Sequence, residues 1–139
     1  LCEESLHRMS YPYGGSLVGI SSPGCTLQYK PQPGYDMPGS GKCIMEYAMR
    51  LYALRCGPLS INSNVVVPGV THTEAWDHLA ERRDGNGDAM VSSLSQRVSP
   101  MGQTTPRQIG EAVAFLCSTQ GRMITGMSIP VDGGVHLKA

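Results

Sequence analysis

The chain has 139 residues, eleven Lys plus Arg against eleven Asp plus Glu, and 40% apolar side chains. That length builds one domain with a real core and is short for two. Zero net charge leaves no basic stripe for nucleic acid and no polybasic run for an anionic membrane, and the apolar stretches are too short and interrupted to span a bilayer. Five cysteines (Cys2, Cys25, Cys43, Cys56, Cys117) include no C-x-x-C pair. With Cys43 and Cys117 placed on apolar helix faces, they read as buried thiols in a reducing cytosol, which makes the expected location cytoplasmic. His7, His72, His78 and His136 share no metal-ligand spacing, so no metal site is expected. The opening Leu1-Cys2-Glu3, without methionine, reads as the start of a piece of something longer.

Leu1 to Met9 suits the tail of a helix, broken by Tyr11-Pro12-Tyr13-Gly14-Gly15. Ser16 to Ser22 is a short apolar run ending in two hydroxyls. Without clean alternation it fits a strand covered on both faces, as in a parallel sheet. Residues 23–41 hold much of the Gly and Pro and no periodicity, so a long functional loop is expected there. A helix follows from Lys42 to about Arg55, with Ile44, Ala48, Leu51 and Arg55 in one row and Met45, Met49 and Tyr52 in the next. Gly57-Pro58 stops it.

Asn62 to Val67 is a second β-branched strand, ended by Pro68-Gly69. Strand, loop, helix, strand is a crossover unit. Residues 70–98 are polar and mixed, anchored by Trp76 and Leu79, and read as a mobile lid. Asp84-Gly85-Asn86-Gly87-Asp88 mimics the start of a calcium loop, but Ala89 and Ser95 stand where Gly and Glu are required, leaving a solvated turn. Thr105-Pro106-Arg107-Gln108 carries a cap, an N1 proline and a capping box. Ile109, Ala112, Val113, Leu116 and Cys117 then trace an amphipathic helix. Gly121 ends it, Thr125 to Val131 forms a third strand, and Asp132-Gly133-Gly134 turns out of that strand.

The chemistry-bearing stretch is Gly34 to Lys42, where a tyrosine and a lysine stand seven apart. Two helical turns span about seven residues, so such a pair shares a face. Pro38, Gly39 and Gly41 make the stretch irregular, which places Tyr35 just before the helix and Lys42 in its first full turn. A cation within roughly 4–6 Å favours a phenolate and brings proton transfer into the neutral range.

The order of motifs resembles the C-terminal half of a short-chain dehydrogenase/reductase over essentially the whole chain. The resemblance rests on the strand ending in Ser21-Ser22, the Tyr…Lys helix, Asn64-Val-Val-Val-Pro-Gly-Val70 with Thr73, Pro100-Met101-Gly102 before the Thr-Pro-Arg-Gln-Ile helix, and Ile124-Thr-Gly126…Val131-Asp-Gly-Gly134. It implies an α/β fold: the C-terminal portion of a Rossmann-like doubly wound parallel sheet, about three strands and their helices, forming part of one domain over residues 1–139. It further implies NAD or NADP as cofactor and hydride transfer to or from a carbonyl or alcohol. Tyr35 would be the acid/base, tuned by Lys42, which also holds the ribose. Ser22, with Ser21 as its rival, would steady the substrate oxygen. Pro68, Gly69, Val70 and Thr73 would hold the carboxamide end of the nicotinamide.

Two departures shape the alternatives. The family's usual tyrosine, four before the lysine, is Pro38 here, and the spacing of seven is similar to the enoyl-thioester reductase branch. Ser22 also lies further from Lys42 than expected, and Tyr29 is a spare phenol. A non-catalytic member retaining the fold for binding or assembly is the alternative from another class. No glycine-rich dinucleotide-phosphate loop occurs in the chain, so the N-terminal half that would carry it is expected outside this sequence. The resemblance also implies a small-molecule substrate and a homodimer or homotetramer paired through the helix after Lys42, with Met45, Met49 and Tyr52 as the seam.

Overall fold

Every residue from Ile61 to Val67 is buried, and this continuous run organises the molecule. A computed structural model describes residues 2–9, 14–25, 29–31, 33–82 and 85–138. Its elements are α1 (Cys2–Leu6), β1 (Gly15–Ile20), α2 (Asp36–Cys56), β2 (Ile61–Pro68), α3 (Glu74–Glu81), α4 (Gly87–Val98), α5 (Pro106–Leu116) and β3 (Ser128–Val131). The strands form one parallel sheet in the order β1-β2-β3, with Gly15 opposite Ile61 and Val65 opposite Ser128. β2 is therefore central, which is why its side chains need not alternate in polarity. Val65, Val66 and Val67 are 1% exposed or less, and burial of each contributes about 1.5–3 kcal/mol.

Helices cover both faces of the sheet. Successive strand residues point to opposite sides. Ser63 donates from Oγ to the Met49 carbonyl of α2 at 2.8 Å. Its neighbour Asn62 donates from Nδ2 to the Leu116 carbonyl of α5 at 3.1 Å. α2 and α5 thus lie on opposite faces, the doubly wound arrangement expected from the sequence. Asn64, fully buried, donates to the Ile124 carbonyl at 2.7 Å and accepts from the Met127 amide at 3.2 Å, which fastens the approach to β3.

α2 begins six residues earlier than the glycines and proline suggested. Pro38 is the third helical residue, where a backbone N–H has no intrahelical acceptor, so the ring removes nothing the helix uses. Lys42 consequently sits in the second turn, not the first. The expected lid segment contains two helices, α3 and α4, and the predicted solvated turn caps the second: the Asn86 side chain accepts from the Ala89 amide at 3.0 Å. Asp84 of that turn, and Tyr11 to Tyr13 of the expected helix breaker, lie outside the described residues. The capping box of α5 forms as read, Thr105 Oγ1 accepting from the Gln108 amide at 3.3 Å and Gln108 Oε1 from the Thr105 amide at 2.9 Å.

The row expected to form a subunit seam faces the core instead. Met49 is 4% exposed, and Met45 and Tyr52 pack against the same core. Ile44, Tyr47, Leu51 and Leu54 form the outward row of α2. Periodicity finds two apolar rows and does not say which one faces the sheet; the close packing of α2 on β1 and β2 decides it. Cys43 and Cys117 are likewise exposed and not buried, whereas Cys25 and Cys56 are buried. Among the described residues no helix is long and apolar enough to cross a membrane.

Candidate functional site

The carboxyl end of β1 opens into a cleft of about 720 Å³. Ser22, Tyr35, Lys42, Pro68, Gly69, Val70 and Thr73, the residues singled out in the sequence, all line it. The fold brings together three segments separated by up to about fifty residues, because parallel strands deliver their ends to one rim of the sheet.

Tyr35 occupies the N-cap position of α2, and its carbonyl accepts from the Gly39 amide at 2.8 Å to close the first turn. Its ring lies over Gly39, where an added Cβ would stand 3.3 Å from Tyr35 Cδ1. The phenol meets Ser22 Oγ at 2.9 Å. Two turns further on, Lys42 donates from Nζ to the Ile20 carbonyl at 2.6 Å. Phenol and ammonium are therefore each held by the terminus of β1, two residues apart.

The two adjacent serines are separated by their partners. Ser21 is buried, and its hydroxyl donates to Glu46 Oε1 of α2. Ser22 is left facing the phenol. Glu46 is itself buried and accepts from Ser128 of β3 at 3.1 Å through its other oxygen. This carboxylate links β1, α2 and β3 beneath the cleft. Sequence reading passed over it, although its place four residues after Lys42, one helical turn on, was a signal that it shares that face.

Opposite, β2 ends at Pro68-Gly69. A Cβ on Gly69 would come within 2.6 Å of Asp132 Cα and 2.8 Å of its carbonyl oxygen, both backbone atoms. Only glycine lets the two strand ends approach this closely. Gly69→Ala is expected to lower stability by about 1–3 kcal/mol through overpacking, read as a lower urea midpoint of the intact protein. Thr73 caps α3 without a side-chain bond, and its exposed hydroxyl has no hydrogen-bond partner among the described residues. Thr71, by contrast, is engaged with Thr104 Oγ1 at 2.6 Å. Trp76, Leu79 and Leu94 of α3 and α4 complete the wall.

The spare phenol is committed elsewhere. Tyr29 is buried and donates to Asp132 Oδ2 at 2.6 Å; burial, then the hydrogen bond to this carboxylate, push its pKa far above that of a free phenol. Asp132 is 3% exposed. It also accepts from the Gly134 amide at 2.8 Å and the His136 amide at 2.9 Å. Burial alone would raise its pKa, but the bonds from Tyr29, His136 and Gly134 outweigh that and hold it below the ordinary carboxylate value. Among the described residues no group of three His, Cys, Asp or Glu side chains is arranged to hold a metal.

A family model described as enoyl-(acyl carrier protein) reductase matches residues 1–136. An uncharacterized oxidoreductase of Schizosaccharomyces pombe is 34% identical over 130 residues, 93% of this chain and 47% of that protein. The NADH-dependent enoyl-[acyl-carrier-protein] reductase FabI of Bacillus subtilis is 28% identical over 126 residues, 91% of this chain and 46% of that one. Among solved structures, a short-chain type dehydrogenase/reductase from Mycobacterium ulcerans superposes with a TM-score of 0.79 at 27% identity, covering 98% of this chain and 46% of its own. The angucycline C-6 ketoreductase LanV with bound NADP gives 0.77 at 28%, covering 98% and 48%. The chain spans about half the length of the relatives it matches. With strand order, rim geometry and family model in agreement over nearly every residue, the chain belongs to the short-chain dehydrogenase/reductase family.

Proposed function

We propose that this chain provides the acid–base and nicotinamide-facing part of an NAD(P)-dependent oxidoreductase acting on a carbonyl or alcohol. The observation that carries the reading is the Ser22–Tyr35 hydrogen bond at 2.9 Å, in a cleft that also holds Lys42 and the Pro68–Gly69 turn. Ser22 and the Tyr35 phenol are a pair of adjoining hydroxyl groups that can hydrogen-bond one substrate oxygen. In reduction the phenol donates its proton to that oxygen as it becomes negative, and in oxidation it takes one back. Lys42 adds a fixed positive charge to the cleft in which the negative charge develops.

The residues present fit the nicotinamide end of such a cofactor. The Thr73 hydroxyl, without a hydrogen-bond partner among the described residues, and the backbone of Pro68 to Val70 line the cleft where a flat polar group can be bound. Lys42 would hold the ribose. The cofactor, when bound, supplies or accepts the hydride. α3 and α4 close the cleft on the substrate side as its lid, because Trp76, Leu79 and Leu94 face into it.

A second reading, reduction of an enoyl thioester, is favoured by the spacing of seven between Tyr35 and Lys42 and by the relative from Bacillus subtilis. Following reduced-nicotinamide absorbance of the intact protein against short ketones and enoyl thioesters discriminates the two. Turnover of ketones alone supports the first, turnover of thioesters alone the second, and turnover of neither leaves the non-catalytic member as the better account. The outward row Ile44, Tyr47, Leu51 and Leu54 supports pairing of α2 with its copy in a homodimer or homotetramer. Five free thiols support placement in the cytoplasm.

A further inference from the structure

A second cavity of about 310 Å³ adjoins the Tyr35 cleft and shares Val70 and Leu94 with it. Its walls are apolar, with Tyr29, Val98 and Val135 among them. Tyr29 is pinned by Asp132, which makes this wall a preformed surface and not a mobile side chain. Two exposed lysines, Lys30 and Lys138, also line the cavity. No Asp or Glu lines either cavity among the described residues. Asp132, the nearby carboxylate, is occupied by Tyr29, Gly134 and His136 and is 3% exposed. Neither lysine has an ion-pair partner among the described residues.

An apolar chamber with cations at its edge and no opposing anion recognises an amphiphile. Long lysine stems lie along apolar surface and keep their ammonium groups in water, where an anionic end of a ligand would meet them. The volume lies at the lower end of the range for small-molecule sites, about 300–1,000 Å³. Resting on the reading of the reacting cleft given above, we propose that the substrate is an apolar-bodied carbonyl or enoyl compound bearing a carboxylate remote from the reacting bond. Its body fills the 310 Å³ cavity and its carboxylate meets Lys30 and Lys138.

Calorimetric titration of the intact protein with unreactive probes tests the site apart from turnover. Decanoate is expected to bind about tenfold more tightly than methyl decanoate, through the two ammonium groups, and more tightly still than butyrate, because each added methylene buries apolar area. In the Lys30→Glu/Lys138→Glu variant decanoate loses that advantage, while methyl decanoate binds as before. Equal binding of acid and ester, butyrate binding as tightly as decanoate, or an unchanged acid preference in the variant would overturn the proposal. A turnover arm with oxodecanoate and its methyl ester separates the two readings. Acid-selective binding without hydride transfer removes the activity and keeps the site. Turnover of neutral ketones with no acid preference does the reverse.

Discussion

If Tyr35 is the proton donor proposed above, Tyr35→Phe is expected to lower kcat of the intact protein by about 10²–10⁴-fold, the range for loss of a positioned general acid, and to leave the affinity for reduced nicotinamide cofactor nearly unchanged. The substitution removes one oxygen and keeps the ring on Gly39, so α2 retains its first turn. Among the described residues Ser22 then has Cys25 Sγ at 3.4 Å as its remaining side-chain partner. Lys42→Ala has a different signature. It is expected to weaken cofactor binding as well as kcat, because in the proposed reading the ammonium both holds the ribose and adds positive charge to the cleft. Measuring kcat and cofactor affinity for both variants separates a proton donor from a structural hydroxyl. Unchanged kcat in Tyr35→Phe would remove Tyr35 from the mechanism and leave only its place as the first residue before α2.

The largest effect on stability is expected at Asp132. Its carboxylate accepts from Tyr29, the Gly134 amide and the His136 amide while almost wholly out of water. In Asp132→Asn the amide group turns a donor toward one of those donors and the charge is lost, a change worth about 3 kcal/mol. The pH dependence follows from the direction of the shift. The folded pKa lies below the ordinary value, so the carboxylate's contribution is fully present above the unfolded pKa of about 4 and disappears as pH falls through the lower, folded pKa. Urea midpoints of the intact protein measured between about pH 6 and pH 3 should fall more steeply for the parent than for Asp132→Asn. At high pH the same variant loosens Tyr29, whose protonated phenol is kept by burial and by this carboxylate. Parallel pH profiles in the two proteins would show that the Asp132 pKa is not lowered by folding.

Asp132 matters to the site through position and not through chemistry. It closes the turn after β3, its backbone touches Gly69 at the end of β2, and its side chain fixes Tyr29 from the loop after β1. One residue thus ties the ends of the three strands at the rim on which the candidate chemistry stands. The same logic applies to Glu46 on the inner side, where one carboxylate joins Ser21 and Ser128.

What the sequence determined alone were features set by neighbours along the chain. Short apolar runs, β-branched in the central one, specified strands, Thr105 and Gln108 specified a helix start, and Pro-Gly after Val67 specified the strand end, because each depends on backbone preferences a few residues wide. The irregular Pro38-Gly39 stretch placed Tyr35 just before the helix that carries Lys42, as the N-cap position shows, and the family resemblance supplied the order of Ser22, Gly69 and Thr73 around them. Tertiary structure decided the rest. Which apolar row of α2 turns inward, Met45–Met49–Tyr52 and not Ile44–Leu51, depends on the sheet it meets. Whether Ser21 or Ser22 faces the phenol depends on a glutamate 25 residues away. That Tyr29 is held by Asp132, 103 residues on, is equally invisible to local pattern. Burial and partnership of polar groups arise from contacts distant in sequence, and a single chain read in order contains no record of those distances.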